Sequence, residues 1–130
     1  MIRLRCSGTP ALELELAGSR SDLSALKDAI LHCCRRKRPL LEVAVDQDFD
    51  PAPYERRLKG LRLVRSKDKL RLDVEDDRLL ISGTPDLLIF FARSLPCNEV
   101  QVPAQVKFDP YDRTEQLQAD SPGILLTLTE

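Results

Sequence analysis

The chain has 130 residues, of which 42% are hydrophobic and 32% charged, a balance typical of a folded domain rather than a disordered segment. Twenty basic residues against twenty-one acidic ones leave a net charge of −1, which argues against a general nucleic-acid binder. The longest apolar run, Leu87 to Ala92, has six residues, whereas a membrane helix needs about 20. We therefore expect one domain over 1–130, with no membrane partner, no secretory signal and a cytoplasmic location.

The first half of the chain has the pattern strand, strand, helix, strand, strand. Apolar residues alternate with charged ones in the first two segments, which a Ser-Gly-Thr-Pro turn separates. A helical apolar stripe follows, which Ser21 or Asp22 is expected to cap and Pro39 to end. The predicted elements are strands at 2–6, 12–16, 41–45 and 61–64, and a helix whose stripe covers 23–34.

The second half repeats this order. Thr84 is the expected cap of its helix and Pro85 the first helical residue, where the missing N–H costs little. The predicted elements are strands at 70–74, 79–81, 100–108 and 124–129, and a helix over 86–95. The two halves differ in charge, because 1–65 hold 13 basic and 9 acidic residues whereas 66–130 hold 7 and 12. Such an asymmetry suits either a charged partner or attraction between the halves.

An internal repeat connects the two halves. At a shift of 65 residues five elements match in their apolar pattern; Leu14 and Leu16, for example, fall on Leu79 and Ile81. We interpret 1–65 and 66–130 as pseudo-repeat halves of one domain. Hairpin strands with one helix per half predict an α+β fold, with a largely antiparallel sheet and both helices on one face.

Patterns for catalysis or metal binding are incomplete. The acidic loop that begins at Asp46 matches the first three ligand positions of a calcium loop, but Pro51 and Arg57 stand where that loop needs glycine and glutamate. The chain has no C-x-x-C motif, so its four cysteines are interpreted as reduced thiols, with a Cys6–Cys97 bridge as the alternative. His32, the only histidine, has no partner carboxylate in a known motif. We expect no catalytic residue, metal or cofactor.

The second half carries a family resemblance. The stretch 72–85 combines a short acidic hairpin, an apolar strand, Ser-Gly and a helix start; Val-Lys-Phe-Asp-Pro-Tyr-Asp follows at 106–112, and Ser-Pro-Gly precedes the strand at 124–126. In these features residues 70–130 resemble the small α+β immunity proteins encoded beside bacterial polymorphic toxins. The resemblance implies a non-enzymatic protein that binds a cognate toxin and blocks its active site. The strand at 102–106 lacks the histidines common in that family.

These patterns favour a small cytoplasmic binding protein with a protein partner, a toxin in the immunity interpretation. Acidic loops attract a basic surface, and a tyrosine among carboxylates suits an interface anchor. The predicted partner-binding residues are Asp46, Asp48, Asp50 and Tyr54 in one loop, and Asp109, Tyr111 and Asp112 in the equivalent loop. The alternative is a homo-oligomeric structural or regulatory domain, such as a homodimer, that associates through the apolar helix at 87–91 or an uncovered sheet edge.

Overall fold

The computed structural model describes residues 1–8, 11–109 and 113–129. Its elements in chain order are β1 (Arg3–Ser7), β2 (Glu13–Gly18), α1 (Arg20–Arg35), β3 (Leu40–Val43), β4 (Arg56–Arg57), β5 (Gly60–Arg65), β6 (Arg71–Glu75), β7 (Arg78–Gly83), α2 (Pro85–Arg93), β8 (Ala104–Phe108) and β9 (Ile124–Leu128). Neither helix is long and apolar enough to cross a membrane.

The strands form two sheets. The five-stranded sheet has the order β4-β1-β2-β9-β8 and the four-stranded sheet the order β3-β5-β7-β6. All neighbouring strands are antiparallel except the two parallel pairs, β2 with β9 and β5 with β7. The predicted α+β class and the largely antiparallel pairing are confirmed, and the strands are divided between two sheets rather than joined in one.

Each half contributes one strand pair to each of the two sheets. Helix α1 leads from β2 in the five-stranded sheet to β3 in the four-stranded sheet, and α2 leads back from β7 to β8. Each sheet therefore contains one strand pair from each half, and these pairs meet in the parallel ladders. Buried residues of both sheets and both helices form one apolar cluster, so the apolar faces of the two sheets share one core.

Local capping sets where the helices begin. Thr84 caps α2 as predicted, because its side chain accepts a hydrogen bond from Leu87 N and Pro85 occupies the first turn. The predicted cap of α1 is wrong by a few residues, since the cap is Ser19 and not Ser21 or Asp22. Asp22 instead occupies the third helical position, where its carboxylate accepts a hydrogen bond from Ser19 N at 3.2 Å and completes a capping box.

Two long segments, which we call return segments, each cross to the opposite sheet. The strands before and after each segment belong to the other sheet. The first return segment, residues 44–59, leaves β3 and pairs with β1 of the five-stranded sheet, where Leu58 N donates to Leu4 O at 2.9 Å. The second return segment, described over residues 113–123, reaches the start of β6 in the four-stranded sheet, where Leu70 N donates to Gln116 O at 2.7 Å. The first of these segments carries the acidic loop predicted to bind a partner.

Candidate functional site

The predicted loop lies against the outer face of the five-stranded sheet, the face that points away from the core. Asp46 is fixed at its start, since its carboxylate accepts from Asp48 N at 2.8 Å and from Arg3 Nε at 3.2 Å. Phe49 continues the contact, with its ring centroid 5.5 Å from the Arg3 guanidinium. Asp50 stabilises the next turn by accepting from Ala52 N at 3.0 Å. The loop is therefore ordered by contacts at both of its ends.

Arg5 anchors the middle of this loop to the sheet. Its Nη1 donates to the carbonyl oxygens of Pro51 and Ala52, at 3.2 and 2.8 Å, and its guanidinium lies 4.5 Å from the Tyr54 ring centroid. Its Nε donates to Glu15 Oε1 at 2.6 Å. One side chain on β1 thus holds a carboxylate on β2 and two carbonyl groups of the loop at once, which its forked donors permit.

Glu15 is the buried charge at the centre of this face. It is 5% exposed, although it lies on the outer side of the sheet. Its second oxygen accepts from Thr127 Oγ1 at 3.1 Å, and Thr127 in turn accepts from Gln105 Nε2 at 3.4 Å. A hydrogen-bonded row therefore crosses the sheet from β8 through β9 and β2 to Arg5 on β1. A buried carboxylate is tolerated here because both of its oxygens are paired.

Two open cavities flank Tyr54 and the Arg5–Glu15 pair. One of about 220 Å³ has the pair as its floor, Phe49 and Asp50 as one wall, and Gln105 and Thr127 as the other. The second, of about 450 Å³, is lined by Glu13, Tyr54, Lys107, Asp109, Leu125 and neighbouring apolar residues. Both cavities are large enough to receive a side chain of a partner, and they mix apolar walls with charged groups at their rims.

The second cavity brings two predicted residues from different loops together. Tyr54 comes from the first return segment, whereas Asp109 directly follows β8. Asp109 is 9% exposed and pairs with Lys107 Nζ at 3.5 Å. The other two residues predicted for that loop, Tyr111 and Asp112, lie outside the described residues. Five of the seven predicted residues, Asp46, Asp48, Asp50, Tyr54 and Asp109, thus lie at the outer face of the five-stranded sheet.

Two ionisable groups at this site have shifted pKa values. The pKa of Asp46 is lowered, first by the hydrogen bond from Asp48 N and then by Arg3. The pKa of Tyr54 is raised, mainly by its partial burial and also by the negative charge of Glu15, which the charge of Arg5 opposes. Asp46 is therefore held ionised, and Tyr54 remains a neutral phenol that can donate a hydrogen bond.

Arg5, Glu15 and Thr127 were missed as site residues. Strand periodicity places them on the outer face, where charged and polar side chains normally meet water. The only sequence signal is that Glu15 and Arg5 alternate with leucine and cysteine in adjacent predicted strands. Their burial depends on the first return segment, which crosses to this face only in the folded chain.

The carboxylates of this face do not form a metal site in the described part of the chain. Among the described residues, no cluster of three or more histidine, cysteine or carboxylate groups could hold a metal ion. The four cysteines carry no disulfide, and burial raises the pKa of the Cys6 and Cys34 thiols. Comparison of the chain with protein-family models, with curated proteins and with solved structures gives no match.

Proposed function

We propose that this chain is a non-enzymatic binding protein that uses the outer face of the five-stranded sheet, with the loop at 46–54, to dock a protein with a basic surface. The observation that carries this proposal is the anchoring of the acidic loop by Arg5. A loop held in place before binding loses little conformational entropy when a partner arrives. Anchoring also fixes where its carboxylates point.

The charges on the loop favour a cationic partner. Asp48 and Asp50 are exposed, and among the described residues no cationic side chain lies within ion-pair distance of either. Charges that the fold leaves uncompensated are available to a partner and speed its approach. Asp46, by contrast, is already paired with Arg3 and serves the loop itself.

Tyr54 and the cavities beside it supply the apolar part of such an interface. The tyrosine is half-buried and lies between a guanidinium and a cavity of about 450 Å³. Tyrosine in a pocket with a charged rim is typical of residues that dominate binding energy in protein interfaces. The specific form of the proposal is an immunity protein that blocks the active site of a cognate bacterial toxin, as the resemblance of residues 70–130 implies.

Charge reversal of the loop tests the proposal. The double variant Asp48→Lys/Asp50→Lys should reduce the affinity for a partner captured from lysate by roughly tenfold or more at low salt, and by less at high salt. The matched control is Asp68→Lys/Glu99→Lys, which makes the same change in net charge at exposed positions elsewhere on the chain. Equal loss in both variants would mean that net charge, and not this loop, governs binding.

The immunity interpretation needs a separate measurement. If the captured partner is a toxin, the unmodified chain should inhibit the activity of the purified toxin. The Asp48→Lys/Asp50→Lys variant should inhibit it much less. A captured partner that retains full activity in the complex would contradict the immunity role and leave docking intact.

The alternative of self-association through the helix at 87–91 has less support. Leu88 and Phe91 are 5% and 0% exposed and belong to the core cluster of the molecule. The apolar character of α2 is therefore used for packing inside the fold. An open sheet edge is the remaining route to a homo-oligomer.

A further inference from the structure

The two sheets have four outer edges, and two of them are protected. Strand β4 is two residues long and consists of Arg56 and Arg57, which makes a poor template for another strand. The start of β6 is covered by the second return segment, which exchanges two backbone hydrogen bonds with Leu70, just before the strand, and accepts from Leu72 N through Ser121 Oγ at 2.9 Å. The edges at β3 and β8 stay open in the described part of the chain.

Strand β8 is the longer open edge, with five residues against four in β3. In the described structure its backbone pairs only with β9. Ala104 and Val106 are half-buried and pack against the core cluster, so a further strand beside β8 would cover more of both side chains. Just before the strand, Val100 and Val102 are 91% and 48% exposed, the most exposed of the valines in the described residues.

Symmetry limits how an edge strand can pair with its own copy. In an antiparallel pair around a two-fold axis, residues that lie directly opposite must point to the same face of the sheet. For β8 the register centred on Val106 meets this condition. It places Val106 opposite Val106 and Ala104 opposite Phe108 on the core side, and Gln105 opposite Lys107 on the outer side.

Strand β3 does not pair well with itself. A register centred on Leu41 places Leu40 opposite Glu42, and a register centred on Glu42 places two carboxylates opposite each other. Like charges directly opposite are destabilising in a sheet, and Glu42 is already paired with Arg62 at 2.5 Å. Of the two open edges, only β8 is therefore complementary to itself.

We propose that two copies of the chain associate through β8, in antiparallel register around Val106, so that the two five-stranded sheets join into one sheet of ten strands. A two-fold axis perpendicular to the sheet keeps both outer faces on the same side. The loop at 46–54 does not obstruct this contact, because Arg5 holds it over β1, which is three strands away from β8 in the sheet order. This inference does not depend on the proposed function, although the dimer would present two loops to one partner surface.

Two substitutions at one exposed position test the register. Gln105→Lys places a lysine opposite Lys107 of the other copy, and the two-fold axis creates this pair at two positions. The dimer dissociation constant should therefore rise by roughly fivefold to thirtyfold at low salt. Gln105→Glu should lower the dissociation constant, and added salt should reverse the gain. Both variants lose the same amide, which donates to Thr127. Opposite effects therefore isolate the charge across the interface from any change within one copy.

Sedimentation equilibrium of the full chain over a range of concentrations gives the dissociation constants. Leu40→Lys, at the exposed edge of β3, is the control and should leave dimerisation unchanged. Amide hydrogen exchange should slow at 104–108 as concentration rises. A chain that stays monomeric at high micromolar concentration would overturn the proposal, and so would a dimer in which Gln105→Lys and Gln105→Glu behave alike. Sedimentation measures association of the chain alone, with no partner present, so these outcomes are separate from failure of the proposed docking.

Discussion

The Arg5–Glu15 pair stabilises the candidate site because each residue bonds to other groups of the site besides its partner. Side-chain exposure is 22% for Arg5 and 6% for Glu15, so water can compensate for the loss of either group only in part. Removing one member of such a pair leaves the other charge buried without its partner, and this costs more than the pair contributes when intact. For Arg5 the loss would also free the carbonyl groups of Pro51 and Ala52.

Arg5→Met should therefore destabilise the chain by about 2 kcal/mol or more, measured by urea unfolding. Methionine keeps most of the apolar stem, so the effect reports the lost hydrogen bonds and charge. Arg3→Met is the matched control on the same strand, because its ion pair with Asp46 is more exposed, at 54% and 25%. The control should cost less than about 1 kcal/mol. Equal losses would contradict the central role given to Arg5.

Each return segment is tied to its sheet by a carboxylate–arginine contact. Asp46 of the first segment pairs with Arg3 on β1, and Asp120 of the second pairs with Arg71 on β6 at 2.7 Å. The pKa of Asp120 is lowered mainly by its hydrogen bond from Arg71, as that of Asp46 is lowered by Asp48 N and Arg3. The two segments thus share a means of attachment that depends on ionised carboxylates.

Acid should loosen both segments. A carboxyl whose pKa is lower in the folded chain stabilises the fold above its unfolded pKa of about 4, and this contribution is lost as the pH falls through the folded value. The urea midpoint should therefore drop between about pH 5 and pH 2, and the Asp46→Asn/Asp120→Asn variant should show a shallower drop. An unchanged pH dependence in that variant would show that other carboxyls dominate acid unfolding.

Because each sheet combines a strand pair from each half, the folding of one half depends on the presence of the other. Both parallel ladders join one strand from each half, with Glu15 opposite Leu125 in one and Leu61 opposite Leu79 in the other. Neither half contains a complete sheet, and each would expose the apolar side chains of both its strand pairs if it stood alone. Stability therefore belongs to the whole chain, although each half has a full set of local signals.

Fragments 1–65 and 66–130 should each be unfolded when expressed separately, and should form native-like structure when mixed. The expected signal is a gain in circular dichroism and amide dispersion at a one-to-one ratio, because only the mixture can close both parallel ladders. A control mixture with Leu16→Asp in the first fragment should not recover, since Leu16 is fully buried and lies opposite Leu126. Cooperative folding of either fragment alone would contradict this interdependence.

Most elements could be predicted from local pattern, because the residues that form a strand or a capped helix are close in the chain. Alternation identified the hairpins of β1 with β2 and of β6 with β7, and Thr84-Pro85 identified the start of α2. The start of α1 was missed because Ser19, Ser21 and Asp22 are all good caps, and only the backbone geometry selects one. The division into two sheets had no local signal, since each of the predicted strands has one apolar face whichever partner it takes.

The acidic loop was predicted from its own residues, whereas the site around it was not. Clustered aspartates and a tyrosine are visible in the sequence at 46–54, as are the alternating patterns that form the strands and the repeat of strand and helix order in the two halves. Tertiary structure decided that Glu15 is buried, that Tyr54 and Asp109 share a cavity, and that β8 is an edge left open by the described residues. The physical reason is that burial and strand partnership depend on which distant segments meet, and such contacts leave no periodic trace in the sequence.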